Sequence, residues 1–159
     1  MEYPTVHPRG FTLVEVFIVT LIIMGMGALC IPFFRSDGHA ALYAAAERIT
    51  ADVGYAQAAS MSDPSNPASI TFGAAGYTLN GVAQPLSINF NESDFDEASG
   101  VTVELVNVDG SVIEFNHYGA VEGDPTADAP RIHLTAPTGE TMSISIAPST
   151  GTMTRNWGG

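Results

Sequence analysis

Between Phe11 and Ile31 the sequence carries one charged residue, Glu15, in a run otherwise made of Val, Ile, Leu, Met, Phe, Gly, Ala, Cys and Thr. At about 1.5 Å rise per residue, a helix over this stretch is on the order of 30 Å long, enough to cross a bilayer core. A short polar leader, residues 1–10, precedes the run and ends Pro8-Arg9-Gly10. A secretory signal peptide places its small-residue cleavage site after the apolar segment, which is then discarded. Here the small residue stands before the apolar run, which predicts that the leader is removed and the membrane helix kept. Glu15 is the exception within the run. A lone carboxylate near hydrocarbon costs a few kcal/mol, so it needs a partner or a proton.

What remains after the leader and the membrane helix is roughly 120 residues, the size of one small domain with a modest core. The chain has 17 acidic residues against 5 basic ones, all arginine, for a formal charge of −12. A surface that binds nucleic acid needs clustered Lys and Arg to displace counterions from phosphates, so this balance disfavours a nucleic-acid partner. The single cysteine, Cys30, lies inside the apolar run, so no disulfide can form within the domain that follows. Arg9 and the N-terminal amine hold the leader in the cytoplasm, while Arg35 and Asp37 roughly cancel on the far side. The bulk of the chain is then expected outside the cytoplasmic membrane, in the periplasm.

Three segments follow in order: a leader over 1–10, a transmembrane helix over 11–37 and a globular domain over 38–159. Pro32 removes a helix hydrogen bond and predicts a kink near Leu29 to Phe33. A second helix is expected from about His39 to Met61. There Leu42, Ala46, Ile49, Val53 and Ala56 mark one apolar, alanine-rich face, and Glu47, Arg48 and Asp52 lie off it. From Ser69 the period changes to two. Ile70 and Phe72, Tyr77 and Leu79, Leu86 to Phe90, Val101 to Leu105, Val112 to Phe115, Ile132 and Leu134, Met142 to Ile146, and Thr152 to Arg155 predict seven or eight short strands. Val108-Asp109-Gly110-Ser111 reads as a hairpin turn between two of them. The fold class is α+β: an amphipathic helix packed by its alanine face on an antiparallel sheet or β-sandwich.

Gly10-Phe11-Thr12-Leu13-Val14-Glu15, ahead of a long apolar run, resembles the processing motif of type IV prepilins and type II secretion pseudopilins. The resemblance implies that a prepilin peptidase cuts after Gly10 and that Phe11 becomes the N-methylated first residue. It makes Glu15 the fifth residue of the mature chain, paired with the terminal amine of an adjoining subunit and so fixing their register. Pro32 also matches the family. The order Ile113-x-Phe115, Gly119, Ile132-x-Leu134, Gly139, Ile144-x-Ile146, Gly151 is similar to the C-terminal domain of H-type minor pseudopilins and FimT-type minor pilins. The expectation is therefore a pilin-like, single-pass protein of the inner membrane. It would be a minor pseudopilin of a type II secretion system, with other pilin or pseudopilin subunits as partners. The alternatives are a FimT-like minor pilin of a type IV pilus, or a membrane-anchored binding domain that never polymerises.

No enzyme is expected, and no cofactor or metal. His7, His39, His117 and His133 lack metal-ligand spacing, and no nucleophile-elbow sequence supports a serine triad. Gly73 to Gly76 and Gly119 to Gly123 read as turns, since neither pair follows a strand and opens a helix. Residues 91–97 form an acidic loop without the order of an EF-hand, which reads as solvated. Trp157 is expected to pack in the core.

Overall fold

The computed structural model describes residues 12–30, 38–92, 97–124 and 128–158. The chain divides into two compact units, Met1–Arg35 and Ser36–Gly159. The described residues form two helices and two antiparallel sheets, an α+β architecture. Gly10, Phe11 and Pro32, with the kink expected there, lie outside the described residues.

In the first unit, helix α1 spans Leu13–Cys30. Thr12 caps it: its hydroxyl accepts from the Glu15 N–H at 3.2 Å, and its carbonyl accepts from the N–H groups of Glu15 and Val16. This supplies a partner to a donor that a helix start leaves unpaired. The described side chains of α1 are all exposed, among them Val14, Phe17, Ile18, Leu21, Ile22 and Met24. The helix is therefore apolar on every side rather than along one stripe. Its 18 residues measure about 27 Å, and among the described residues no helix is long and apolar enough to cross a membrane.

In the second unit, helix α2 spans Gly38–Ser62 and eight strands follow: β1 Ser69–Gly73, β2 Gly76–Asn80, β3 Leu86–Asn89, β4 Thr102–Val106, β5 Val112–Glu114, β6 Arg131–Thr135, β7 Thr141–Ile146 and β8 Met153–Trp157. They make two four-stranded sheets, β3-β2-β1-β5 and β4-β6-β7-β8. Inward residues alternate with outward ones, as a sheet with one solvated face requires. Ile70, Leu79, Ile88 and Ile113 from the first sheet, and Val103, Ile132, Leu134, Met142, Ile144 and Ile146 from the second, join one core. Ala41, Leu42, Ala45, Ala46, Ile49, Val53 and Ala56 of α2 complete it. The alanines keep that face shallow, so β1, β6 and β7 all reach the helix.

Three readings of the sequence need correcting. Val108-Asp109-Gly110-Ser111 is not a hairpin turn. β4 pairs with β6 and β5 with β1, so the turn carries the chain from one sheet to the other. Asn107 (φ 63°) and Gly110 (φ 91°) give it its left-handed bends, and the Val103 N–H donates to the Ala74 carbonyl at 2.9 Å where the sheets meet. Asp52 is buried rather than off the apolar face. Trp157 is 53% exposed, because β8 runs past the end of the core beside the start of α2.

Candidate functional site

Glu15 lies in the first turn of α1, three residues after the Thr12 cap and exposed like the apolar side chains around it. A carboxylate in a first turn faces the partial positive charge of the helix start, worth typically 0.3–1 kcal/mol at an exposed site, roughly. The Thr12-x-x-Glu15 spacing that sets this geometry is a capping signature readable in the sequence.

On α2 the outward face is as informative as the buried one. Tyr43, Glu47, Ala51, Tyr55, Ala58 and Met61 are exposed along it. The helix contains three charged residues, and each is engaged. Glu47 binds Arg155 of β8 at 2.6 Å, and Arg48 Nε binds Asp52 Oδ2 at 2.9 Å. From Val53 to Ser62 there is no charge at all. A helix face open to water normally carries charged residues along its length. Beyond Glu47 this one presents alanine, tyrosine and methionine.

Beneath that face lies a buried polar cluster that the sequence reading missed. The Tyr77 hydroxyl donates to Asp52 Oδ2 at 2.6 Å, the oxygen that Arg48 also contacts. Burial pushes the Tyr77 phenol well above its ordinary value, and the acceptor Asp52 pushes it further. The Tyr77 ring packs against Phe72 and Phe90 at 5.7 and 6.1 Å. A buried carboxylate is tolerated when paired and hydrogen-bonded, so the cluster fixes the first sheet against α2. The Arg48/Asp52 spacing of four was the available signal.

Elsewhere the candidate chemistry disperses. His39 opens α2, the His117 ring packs at a tilt against Tyr118, and His133 lies at the centre of β6. Across the second sheet Glu104, His133 and Ser143 stand side by side on the outer face, on an open surface. A recess of about 480 Å³ beside β5 collects Asp109, Glu114, Glu122, Asp124 and Asp128. Among the described residues no group of three or more His, Cys, Asp or Glu is placed to hold a metal ion. Of the acidic loop over 91–97, residues 93–96 lie outside the described residues, and Glu92 accepts from the Asn89 amide at 3.2 Å.

No family model, curated protein or solved structure matches the chain. The functional reading therefore rests on its own residues and geometry.

Glycines 76, 81 and 151 are positions where the backbone is approached closely, and they serve the fold rather than a ligand. At Gly151 (φ 68°) the carbonyl accepts from the Gln57 amide at 2.8 Å, which pins the β7–β8 turn to α2.

Proposed function

We propose that this protein is a minor pseudopilin of a type II secretion system, processed after Gly10 and assembled through its N-terminal helix into a periplasmic pseudopilus. The observation that carries the reading is α1. Its described side chains are apolar and exposed on every side, interrupted by one carboxylate, Glu15, in its first turn. Such a helix needs an apolar surrounding of lipid or other helices, and a carboxylate within that surrounding needs a partner of opposite charge. A methylated amine on Phe11 of an adjoining subunit would meet that need. Pairing of this kind selects one axial register, because any other leaves two unpaired charges in a low-dielectric site. The charge-poor outward face of α2 supports assembly as well, since it suits contact with other subunits.

The FimT-like alternative draws its distinctive property, contact with incoming DNA, from basic residues near the C-terminus. Arg155 is the basic residue in that region and is held by Glu47, which counts against it.

The test is the mature N-terminus, read by mass spectrometry from cells carrying a prepilin peptidase. The expected chain begins at Phe11 with one added methyl group. A chain beginning at Met1, or one cut beyond Ile31, would overturn the proposal and favour an anchored domain that does not polymerise. With the Phe11 N-terminus found, deletion of the protein should abolish export of folded proteins while leaving DNA uptake intact.

A further inference from the structure

The start of α2 and the end of β8 form an aromatic ledge. Trp157 meets His39 edge to face, with ring centroids 4.9 Å apart. Tyr43 stands one turn further along α2, and the Arg155 guanidinium lies 6.0 Å from the centre of its ring. Ala40 and Ala44 floor a shallow recess between the rings. Trp157 is 53% and Tyr43 55% exposed, so two large amphipathic rings face outward together. Rings with an apolar body and one polar edge concentrate where a bilayer meets water.

The chain itself says which surface is near. After Glu15 the next charged residue in the sequence is Arg35, three residues before Gly38. Three residues of extended chain reach about 11 Å at most. We infer that the ledge rests on the bilayer holding the apolar run, with Trp157 and Tyr43 at headgroup depth and the start of α2 seated on the surface. This rests on the membrane reading proposed above. The lipid is zwitterionic. Residues 38–159 hold 14 acids against 3 arginines, and Arg155 is taken by Glu47 while Glu97 lines the recess. Anionic headgroups would therefore be repelled, and the aromatic contact supplies the attraction.

Trp157 is the sole tryptophan of the chain, so its emission reports on the ledge alone. The experiment reconstitutes the full chain in phosphatidylcholine vesicles and measures flotation and Trp157 fluorescence together. Acyl chains brominated just below the headgroup should quench the emission roughly twofold, and chains brominated near the bilayer centre should quench it little. The double substitution Tyr43→Ser with His39→Ser should remove most of that quenching. Tyr55→Ser, about three turns along the same helix, should leave it unchanged. Replacing half of the lipid with phosphatidylglycerol should weaken it. A chain that fails to float with the vesicles overturns the membrane reading and this inference with it. A chain that floats with Trp157 unquenched by lipid and open to acrylamide overturns the inference alone, and assigns the ledge to a protein partner.

Discussion

Asp52 shows how one residue can stabilise a fold and still be misread from the sequence. Its carboxylate accepts from Tyr77 and Arg48 while 8% exposed. Tyr77→Phe should cost about 1.5–3 kcal/mol, the worth of a hydrogen bond to a charged group, and Asp52→Ala should cost more, because it leaves the buried Tyr77 hydroxyl without its acceptor and removes the carboxylate that Arg48 pairs with. Denaturant melts of the domain measure both. The phenol also predicts a pH dependence. Its proton is held more tightly in the folded than in the unfolded chain, so the folded state binds the excess proton once pH passes about 10. Stability is then full below pH 10 and falls as pH rises above it, and the Phe variant should lack this loss. Periodicity put Asp52 beside the apolar stripe, but nothing local in the sequence tells that a strand 25 residues on supplies the hydroxyl. Glu15 is the opposite case, visible at once because nothing around it is polar. Glu15→Val should insert in the membrane as well as the original or slightly better, since the helix becomes more apolar. It should be processed yet fail to crosslink to neighbouring subunits. Crosslinking at the original level would leave the register role without support, or place this subunit at a filament tip.

At the scale of elements, the alternation of Ile70/Phe72, Tyr77/Leu79, Ile132/Leu134 and Met142/Ile144/Ile146 predicted strands that exist, and the apolar stripe of α2 predicted its buried face. Which strands pair was less legible. Asp109-Gly110 between two alternating segments has the composition of a hairpin, yet β4 and β5 enter different sheets. Inward residues at Val103 and Ile113 suit either sheet, so the choice falls to partners distant in sequence, β6 and β1. Close packing between elements was likewise invisible. A methyl group at Gly76 would run into the backbone carbonyl of Ile88 on the neighbouring strand. Gly76→Ala should therefore displace β3 from β2, seen as loss of amide exchange protection over 86–89 with the second sheet intact. On α2, Ala46 is fully buried beneath the sheets, and Ala46→Leu should destabilise the domain by about 1–3 kcal/mol through overpacking.

For the whole molecule, the acidic balance acts on the folded state as self-repulsion. Raising salt from about 20 mM to about 500 mM shortens the screening length to a few ångströms and should raise the Tm of the domain by several degrees. An unchanged or lower Tm would mean that ion pairs such as Arg155–Glu47 outweigh the repulsion. That pair has another consequence. It links residues 108 apart in sequence, and together with Trp157 against His39 it joins the last strand to the first helix of the domain. Were the domain delivered across a membrane from its N-terminal side, as the proposed function requires, α2 would arrive first, with Leu42, Ile49 and Val53 uncovered. Their covering strands β6 and β7 end only at Ile146, more than eighty residues later. At synthesis rates of about 5–20 residues per second, that face waits on the order of ten seconds for its partners. On that route the half-delivered domain would be a client for whatever holds unfolded chains on the far side, and its release would await the arrival of the final strand.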